Sequence, residues 1–516
     1  MKSIHRAKTV LNILVIFLCI VSVELVITPP LSAYFGKEQK GEDVIKDAVV
    51  KVYTMKSEPQ YSNPWMMLPV KNISGSGSII SGNRILTNAH VVADHKSIQV
   101  RHNGDSKKYT ARVLHISHDS DLALLAVDDD SFFSDSSSLE LGELPEIRQE
   151  VTVYGFPSGG DTLSISRGIL SRMEHHRYVH SSRYFLAGQI DAAINTGSSG
   201  GPVIVNNKIA GVVMQIYSPG SAENIGYMIP ASVVKHFIRD VEDGHCDGFP
   251  DFGVVAQKME NPDMKRKYGM SRGQSGLVVN HVISGSSARG LIKKDDILLA
   301  IDGHPIADDG TVEFRPKERT VYKHFIDMHQ LGDTADIDVL RNGMKERVTI
   351  VLNQTQKDFL LVQSEQYDRQ PRYFIFGGIV FSPLTKNLIN EMQFAPEDLS
   401  VELENWPTEE RKEVVVALQT LAADVNKGYH DLDRWVVSEV NGIKFKDFDE
   451  LFHLVTMSTE PFIVFKNNKG FQIVIDRDKA QKAHNKILQT YNVMEDRSSD
   501  LNGIAVGNYF SKILQP

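Results

Sequence analysis

A serine surrounded by glycines is the residue of this sequence that is best suited to act as a nucleophile. Ser199 lies in the segment Gly197–Pro202, which reads GSSGGP. Glycines let a backbone turn tightly, so the N–H groups of Gly197 and Ser199 can point at one spot and form an oxyanion hole, with Ser198 as an additional donor. A turn beside a strand has the same composition. The serine is therefore a nucleophile only if a base and an acid lie elsewhere.

Both partners are present upstream. His90 lies in TNAHVV, directly after a β-like run, and Asp121 opens the apolar run DLALL. An imidazole takes the proton of an attacking serine, and a carboxylate orients that imidazole. Asp119 competes for the role of the acid, but the apolar run begins directly after Asp121. The chain order His, Asp, Ser is that of the chymotrypsin-like double barrel, not of subtilisin or the α/β-hydrolases.

Each of these residues also has an ordinary structural explanation. A lone histidine is commonly a core residue, an aspartate before a strand is commonly a cap, and a serine between glycines is commonly part of a turn. The three motifs nevertheless occur in catalytic order on one β-rich stretch, where short apolar runs alternate with turn residues. We therefore predict two β-barrels over residues 45–243, with a closing helix over Val233–Val241 and the triad in the cleft between the barrels.

Several motifs together resemble the HtrA/Deg family of serine proteases. They are TNAHVV, SDLALL, YGFPSGG, SRGILS, the glycine loop around Ser199 and ENIGYMIP at Glu223–Pro230. The resemblance extends over roughly residues 45–480 and is strongest to the plant-type Deg branch. It implies a mainly β chain in which a chymotrypsin-like double β-barrel precedes two PDZ-like α+β domains. Ser198 departs from the family, which usually has asparagine there. Because this position does not attack the substrate, activity is expected to persist, with a different loop rigidity.

The resemblance divides the second half of the chain into two PDZ-like domains. The first is predicted over residues 249–355 and binds C-terminal peptides, with Tyr268, Gly269 and Met270 as the loop that cradles the terminal carboxylate. Alternatively, Tyr268 and Met270 are core residues. A weaker repeat of the same pattern predicts a degenerate second domain over residues 356–485, with a structural or oligomer-contact role. Residues 486–516 are predicted to be a C-terminal tail.

The predicted substrate pocket is apolar. Its wall is assigned to Ile194, Val212, Val213 and Met214. Because no charged residue occurs at these positions, we expect cleavage after small to medium aliphatic residues.

Composition and the N-terminus limit the location and the partners. The net charge of −9 gives no electrostatic footprint for nucleic acid. Lys2, Arg6 and Lys8 precede a long apolar run, so residues 1–33 are predicted to be a secretory signal, with an N-terminal anchor as the alternative. We therefore expect a bacterial periplasmic or secreted protein; an anchor facing the periplasm is the alternative, and an organelle fits less well. Of the two cysteines, Cys19 lies in the signal, which leaves Cys246 without a disulfide partner.

The resulting prediction is a serine endopeptidase that needs no cofactor or metal ion. The resemblance implies that it acts without ATP and degrades misfolded or damaged proteins. The resemblance implies regulation by the PDZ domains and assembly into a homotrimer or larger oligomer. One alternative is a proteolytically silent PDZ binding protein or chaperone, and another is a processing protease with a single native target. His175, His176 and His180 bind a metal only if their side chains converge. The resemblance places them instead on a regulatory surface loop; the alternative is an inert loop.

Overall fold

Two closed six-stranded barrels form the first half of the computed structural model, which describes residues 42–134, 136–214, 225–392 and 394–503. The first barrel has the order β1-β2-β3-β6-β5-β4 and the second β10-β11-β12-β9-β8-β7. The strands of the first are β1 Val49–Lys56, β2 Lys71–Ile80, β3 Arg84–Thr87, β4 His95–His102, β5 Tyr109–Ser117 and β6 Leu122–Val127. Those of the second are β7 Glu150–Gly155, β8 Ser164–Arg177, β9 Tyr184–Ile190, β10 Pro202–Val205, β11 Lys208–Val213 and β12 Gly226–Pro230. The predicted signal (1–33) and residues 504–516 of the predicted tail lie outside the described residues.

Each barrel is held by its own apolar interior. Val52, Ile85 and Leu124 are fully buried in the first, and Val153 and Met228 are buried in the second. Burial of such side chains is the main favourable contribution to folding, so the short apolar runs of the sequence close into barrels rather than open sheets. The predicted mainly β class with a chymotrypsin-like double barrel is confirmed.

Short helices complete the protease domain. One turn of helix, Ala89–Val92, follows β3, a helix precedes β1 at residues 42–48, and a 3₁₀ turn covers Asp130–Phe133. The closing helix spans Ala231–Asp240 and so begins two residues before the predicted start. Pro230 stands at its N-cap, where a fixed φ and a missing N–H do not disturb a helix.

The first PDZ-like unit contains a sheet with the order β13-β14-β15-β19-β20, in which β16 also pairs with β15. A separate hairpin, β17–β18, and the helices Pro262–Lys267 and Lys323–Asp327 cover it. The strands are β13 Val254–Lys258, β14 Leu277–Val282, β15 Ile297–Ile301, β16 His304–Pro305, β17 Thr311–Arg315, β18 Glu318–Val321, β19 Thr334–Arg341 and β20 Met344–Val351. Strand β13 lies at one end of the sheet, so its outer edge is not paired by another strand of this sheet.

The second PDZ-like unit has two four-stranded sheets, in the orders β21-β22-β23-β24 and β26-β25-β27-β28. Its strands are β21 Phe374–Phe376, β22 Ile379–Pro383, β23 Val415–Thr420, β24 Asp433–Val437, β25 Glu439–Val440, β26 Ile443–Lys444, β27 Phe462–Lys466 and β28 Gln472–Asp476. Its helical segments are Lys386–Asn390, Glu397–Ser400, Phe448–Thr456 and Arg477–Thr490, with 3₁₀ turns at Gln356–Phe359, Val401–Glu404, Asp424–Asn426 and Ser499–Gly503. The last long helix and the segment after it pack on this unit, so the unit continues beyond residue 485.

One edge of β22 is covered by the chain's own preceding strand. Gly377 and Gly378 have φ values of 59° and 83° and make the tight turn of the β21–β22 hairpin. A Cβ on Gly378 would lie 2.4 Å from the Asn426 side chain, so no larger residue fits there. The far edge of β21 is bonded in turn by the terminal segment, since the Ile375 N–H donates to the Asp496 carbonyl oxygen at 2.8 Å. This sheet has no free edge at β22.

A turn of the first barrel docks on the second unit. The Glu391 carboxylate accepts hydrogen bonds from the N–H groups of Tyr61 and Ser62 at 2.6 and 2.8 Å. The Trp65 ring lies 5.8 Å from the Tyr373 ring. The segment that connects the two PDZ-like units also contacts the protease domain, since the Tyr367 hydroxyl donates to the His180 carbonyl oxygen at 2.7 Å. Within the described ranges, no helix has the length and apolar character needed to span a membrane.

Candidate active site

The structure brings His90 and Asp121 together at one end of the first barrel. His90 lies in the single helical turn after β3, and Asp121 directly precedes β6, the strand that pairs with β3. The Asp121 carboxylate accepts from His90 twice, from ring Nδ1 at 2.7 Å and from the backbone N–H at 2.9 Å. The Asn88 side chain donates to the Asp121 carbonyl oxygen at 2.8 Å. The ring nitrogen Nε2 of His90 is therefore left as the lone-pair site of a neutral imidazole.

Asp121 is held ionised in a buried position. Burial by itself raises the pKa of this carboxyl, but the nearby His90 ring and the hydrogen bonds from His90 outweigh it and bring the pKa below its ordinary value. Its backbone has a φ of 55°, a left-handed conformation that aspartate tolerates better than most residues. An ionised carboxylate at this place stabilises a positive charge on His90 when the ring takes a proton.

The competing carboxylate, Asp119, has other partners. It pairs with Arg183 at 2.9 Å and with Lys357 at 3.3 Å. These two ion pairs join the turn before β6 to the loop between β8 and β9 and to the chain after β20. Asp119 makes no hydrogen bond to His90 among the described residues. The geometry assigns the position beside His90 to Asp121.

The peptide planes around Ser199 orient two N–H groups. The Thr196 carbonyl oxygen accepts from the Ser158 N–H at 2.6 Å, and the Ser198 carbonyl oxygen accepts from the Gly201 N–H at 3.0 Å. In a planar trans peptide the N–H points opposite to the C=O, so the N–H groups of Gly197 and Ser199 point away from these partners. Within the described ranges neither N–H donates to another backbone carbonyl. Two donors are thus left for a developing oxyanion.

The nucleophile loop is fastened to the first barrel. The Ser76 N–H donates to the Ser199 carbonyl oxygen, and the Ser76 hydroxyl donates to the Gly197 carbonyl oxygen, both at 2.8 Å. A Cβ on Gly200 would lie 2.4 Å from the Thr87 hydroxyl, so the loop approaches the chain just before His90 closely. Among the described residues, the Ser199 hydroxyl makes no hydrogen bond to the His90 ring. Such bonds are often long and tighten only when substrate binds.

Ser198 does not serve as an additional donor in this arrangement. Its N–H donates to the Asn195 carbonyl oxygen at 3.0 Å, and the residue is buried. The expectation of a third oxyanion donor is not supported by this geometry, because the tight turn uses that N–H internally.

Three of the four residues assigned to the substrate pocket face the protein interior. Val212, Val213 and Met214 are buried in the hydrophobic cores of the protease domain, so their side chains do not line a cleft. The backbone of this strand instead supports the loop, since the Gly200 N–H donates to the Val213 carbonyl oxygen at 3.0 Å. Ile194 is half-buried and packs against Gly226, where a Cβ would lie only 2.3 Å from its Cδ1. Neighbouring side chains point to opposite faces of a strand, and here both faces are covered: Val212 and Met214 belong to one apolar cluster and Val213 to another.

The loop predicted to cradle a peptide carboxylate in the first PDZ-like unit has no free donor. The N–H groups of Tyr268, Gly269 and Met270 donate to carbonyl oxygens of the helix that precedes them, at 3.0 to 3.1 Å. Tyr268 and Met270 also pack on a small apolar cluster. The alternative interpretation as core residues fits better, because this segment is the C-terminal cap of the helix Pro262–Lys267.

The three clustered histidines diverge. Among the described residues no group of three or more His, Cys, Asp or Glu side chains is arranged to hold a metal ion. His175 and His176 lie in strand β8 rather than on a loop; His175 contacts Thr320 of the first PDZ-like unit at 2.7 Å, and His176 stacks on Tyr227. His180 lies beyond the strand, with its ring 6.3 Å from that of His90.

The sequence motifs missed several residues that build the site. Ser76 and Asn88 orient the loop and the acid, and His118 contacts the His180 ring at 3.0 Å. Asn88 lies inside the TNAHVV motif, two residues before His90, and this closeness in the sequence could have identified it. His118 and Ser76 carried no signal, because their partners lie far away in the chain.

Two family models and several curated relatives match this chain. The family model of the trypsin-like peptidase domain matches residues 75–212, and that of the PDZ domain matches residues 362–500. Protease Do-like 4, mitochondrial, of Arabidopsis thaliana is 40% identical over 453 residues, which cover 87% of this chain and 85% of that protein. Putative protease Do-like 3, mitochondrial, of the same plant is 39% identical over 460 residues, covering 89% and 81%. A solved structure, HtrA-type protease AlgW with decapeptide, has 26% identity and a TM-score of 0.45 over 61% of this chain and 97% of that one.

Proposed function

The chain belongs to the HtrA/Deg family of serine proteases, and from this premise we propose that it hydrolyses peptide bonds through an acyl-enzyme formed on Ser199. The observation that carries the proposal is the His90–Asp121 pair at 2.7 Å beside a loop whose Gly197 and Ser199 N–H groups make no backbone hydrogen bond within the described part of the chain. Base, acid and oxyanion donors thus occur around one serine, which is the constellation that acyl transfer requires.

The proposed mechanism follows from the tautomer of His90. Because Nδ1–H donates to Asp121, Nε2 is free to take the proton of the Ser199 hydroxyl as its oxygen attacks the scissile carbonyl. The buried carboxylate of Asp121 stabilises the resulting imidazolium. The N–H groups of Gly197 and Ser199 bind the oxyanion, and His90 then returns its proton to the leaving amine. A water molecule, deprotonated by His90 in the same way, then attacks the ester and releases the acyl group from Ser199.

The proposed substrates are misfolded or damaged proteins, cleaved without ATP. An extended segment is needed because the reacting carbonyl must enter between two rigid barrels. Ile194 against Gly226 is apolar, which supports cleavage after small to medium aliphatic residues. A peptide library in which cleavage follows Lys or Arg overturns this specificity.

The first PDZ-like unit is proposed to bind C-terminal peptides along the outer edge of β13. This strand ends its sheet, and an extended peptide adds to such an edge through main-chain hydrogen bonds. A homotrimer or larger assembly is proposed from the family resemblance. Mass measurement of the purified chain tests the stoichiometry.

The proposed location rests on residues 1–33 alone. Their positive, apolar and small-residue order supports export to a bacterial periplasm or to the exterior. The names of the two Arabidopsis relatives above place those proteins in mitochondria. Determination of the mature N-terminus, together with localisation of the tagged chain, separates export from import into an organelle.

Casein cleavage by the wild type and by Ser199→Ala tests the proposed activity. The wild type is expected to cleave casein and to react with a fluorophosphonate probe, while Ser199→Ala does neither. The alternative, a proteolytically silent binding protein or chaperone, requires that the wild type remain unlabelled in every oligomeric state. Sequencing of the products gives the residue preference in the same experiment.

A further inference from the structure

The segment that connects the two PDZ-like units crosses the protease domain beside His90. We call residues 363–370 the interdomain strap. Two of its residues, Tyr367 and Asp368, contact the loop that carries His180 and the turn that carries His118. His118 lies just before Asp121, and the His180 ring lies 6.3 Å from that of His90. The strap thus reaches the surroundings of both the base and the acid.

Tyr367 holds the His180 loop by two contacts. Its ring stacks on the His180 ring with 4.0 Å between centroids and an angle of 23° between planes. Its hydroxyl donates to the His180 carbonyl oxygen at 2.7 Å. A stacked ring and a hydrogen bond to the same residue restrict both the side chain and the backbone of His180.

Asp368 begins a chain of hydrogen bonds that ends at the same histidine. Its carboxylate accepts from His118 Nε2 at 3.0 Å, and His118 Nδ1 lies 3.0 Å from His180 Nε2. A His118 that donates from Nε2 accepts at Nδ1, so His180 donates from Nε2. Burial lowers the pKa of His180 to about 3, so this ring is neutral near pH 7.

The same strap residue also fixes the chain after His90. Asp368 and Asp94 exchange hydrogen bonds: the Asp94 N–H donates to the Asp368 carboxylate at 2.6 Å, and the Asp368 N–H donates to the Asp94 carboxylate at 2.8 Å. Asp94 follows the helical turn that carries His90. The Asp121 N–H donates to the His118 carbonyl oxygen at 3.3 Å, so holding His118 also holds the turn of the acid.

We propose that Tyr367 and Asp368 are positioning residues for catalysis, which hold the His90 helix, the Asp121 turn and the His180 loop in their productive arrangement. The proposal rests on the proposed function of this site. Catalysis needs the base and the acid placed to within a fraction of an ångström, and a 1 Å displacement from a remote change costs about 100-fold in rate. The strap therefore makes peptide hydrolysis depend on a segment that lies outside the protease domain.

Kinetics of the full-length chain on a short chromogenic peptide test the proposal. Tyr367→Ala and Asp368→Ala are expected to lower kcat about tenfold or more while KM changes by less than about twofold, because the peptide does not touch the strap. Their rate of fluorophosphonate labelling should fall in parallel. Tyr367→Phe keeps the stacked ring, so it is expected to recover most of kcat. Asp368→Asn leaves one oxygen for two donors, the Asp94 N–H and His118 Nε2, so it is expected to lower kcat less than Asp368→Ala but measurably.

Glu365→Gln is the matched control. Glu365 belongs to the same strap, but its carboxylate contacts Ser182 and Asn390 rather than His118 or His180. Its kcat is expected to stay within about twofold of the wild type.

Three results overturn the proposal. The first is an unchanged kcat and labelling rate in both alanine variants, and the second is a rise in kcat, which makes the strap a restraint. If the alanine variants do not fold, a double-mutant cycle of Asp368→Asn with His118→Gln decides, because additive effects on kcat mean that the two residues are not coupled. A wild type that does not react with the probe refutes the proposed function itself. That outcome differs from the three above, which concern only the strap.

Discussion

The two barrels of the protease domain differ in what they supply and in which part of the second half they contact. The first barrel carries His90 and Asp121, and its turn at Tyr61 and Ser62 docks on Glu391 of the second PDZ-like unit. The second barrel carries the Ser199 loop. It contacts the first PDZ-like unit, through His175 and Thr320 among others.

Two further contacts join the first PDZ-like unit to the second half of the protease domain. The His236 ring of the closing helix donates to the His329 carbonyl oxygen at 2.7 Å, and Arg315 donates to the Pro145 carbonyl oxygen at 2.8 Å. These pairs join the first PDZ-like unit to the second barrel and its surroundings. Each PDZ-like unit therefore contacts a different barrel: the first unit contacts the barrel that carries Ser199, and the second unit contacts the barrel that carries His90 and Asp121. Among the described residues, the interdomain strap contacts both barrels, at His118 of the first and at His180 of the second.

The largest effect is expected at the acid of the first barrel. Asp121→Asn keeps the size of the side chain but removes the charge and favours the wrong tautomer of His90, so kcat should fall about 10⁴-fold. Steady-state kinetics with casein or a peptide measure this loss. Asp119→Asn is the control, because Asp119 pairs with Arg183 and Lys357, and its kcat should change far less. Equal losses in both variants contradict the assignment of the acid.

Acid should lower the stability of the contact between the first PDZ-like unit and the second barrel. Burial lowers the pKa of His324, which lies 6.0 Å from His175, to about 4, whereas an unfolded histidine titrates near 6.5. The unfolded state therefore binds more protons below pH 6.5, and stability is lost as the pH falls towards 4. One such group costs about 2 kcal/mol at pH 5. Thermal melting from pH 7 to pH 5 should show a smaller loss in His324→Phe than in the wild type; parallel curves contradict the prediction.

Release of the first barrel from the second unit should have a moderate effect on stability. Glu391→Ala removes the acceptor of two charge-assisted hydrogen bonds from Tyr61 and Ser62, which should cost about 2 kcal/mol in the free energy of unfolding. Hydrogen exchange at these two amides is expected to accelerate, while exchange in β8 stays unchanged. Acceleration in β8 of similar size shows that the two barrels do not have separate partners.

The smallest effect is expected at Ser198. Ser198→Asn introduces the residue that the family usually has, but the Ser198 N–H already donates to the Asn195 carbonyl oxygen and the residue is buried. The kcat of this variant should remain within about threefold of the wild type. A larger rise in kcat at unchanged KM indicates that the side chain at this position controls the loop.

Contiguous motifs made the triad candidates and the fold class predictable. TNAHVV places His90 just after one strand and DLALL places Asp121 just before another, and the pairing of these two strands then brings the residues together. The double barrel was predictable because the apolar runs are short and regularly interrupted by turn residues. These features are local, so a reading along the chain detects them.

Other predictions failed where the orientation of a side chain or the use of an N–H depends on distant contacts. Val212 and Met214 are apolar next to the nucleophile loop, yet they face the core because their strand is covered on that side. Met270 follows a helix whose carbonyl oxygens take the N–H groups that a peptide carboxylate needs. A pocket wall and a core strand are built from the same apolar residue types, so the sequence alone could not distinguish the two.

The sequence by itself determined the candidate nucleophile, base and acid, their order and the kind of barrel that carries them, because each depends on residues close together in the chain. Only the tertiary structure decided that His118 and His180 meet and that Asp94 and Asp368 exchange hydrogen bonds. The latter two residues lie 274 positions apart. No periodicity or motif links residues at that distance; they meet because the second unit packs on the first barrel and draws the strap across the site.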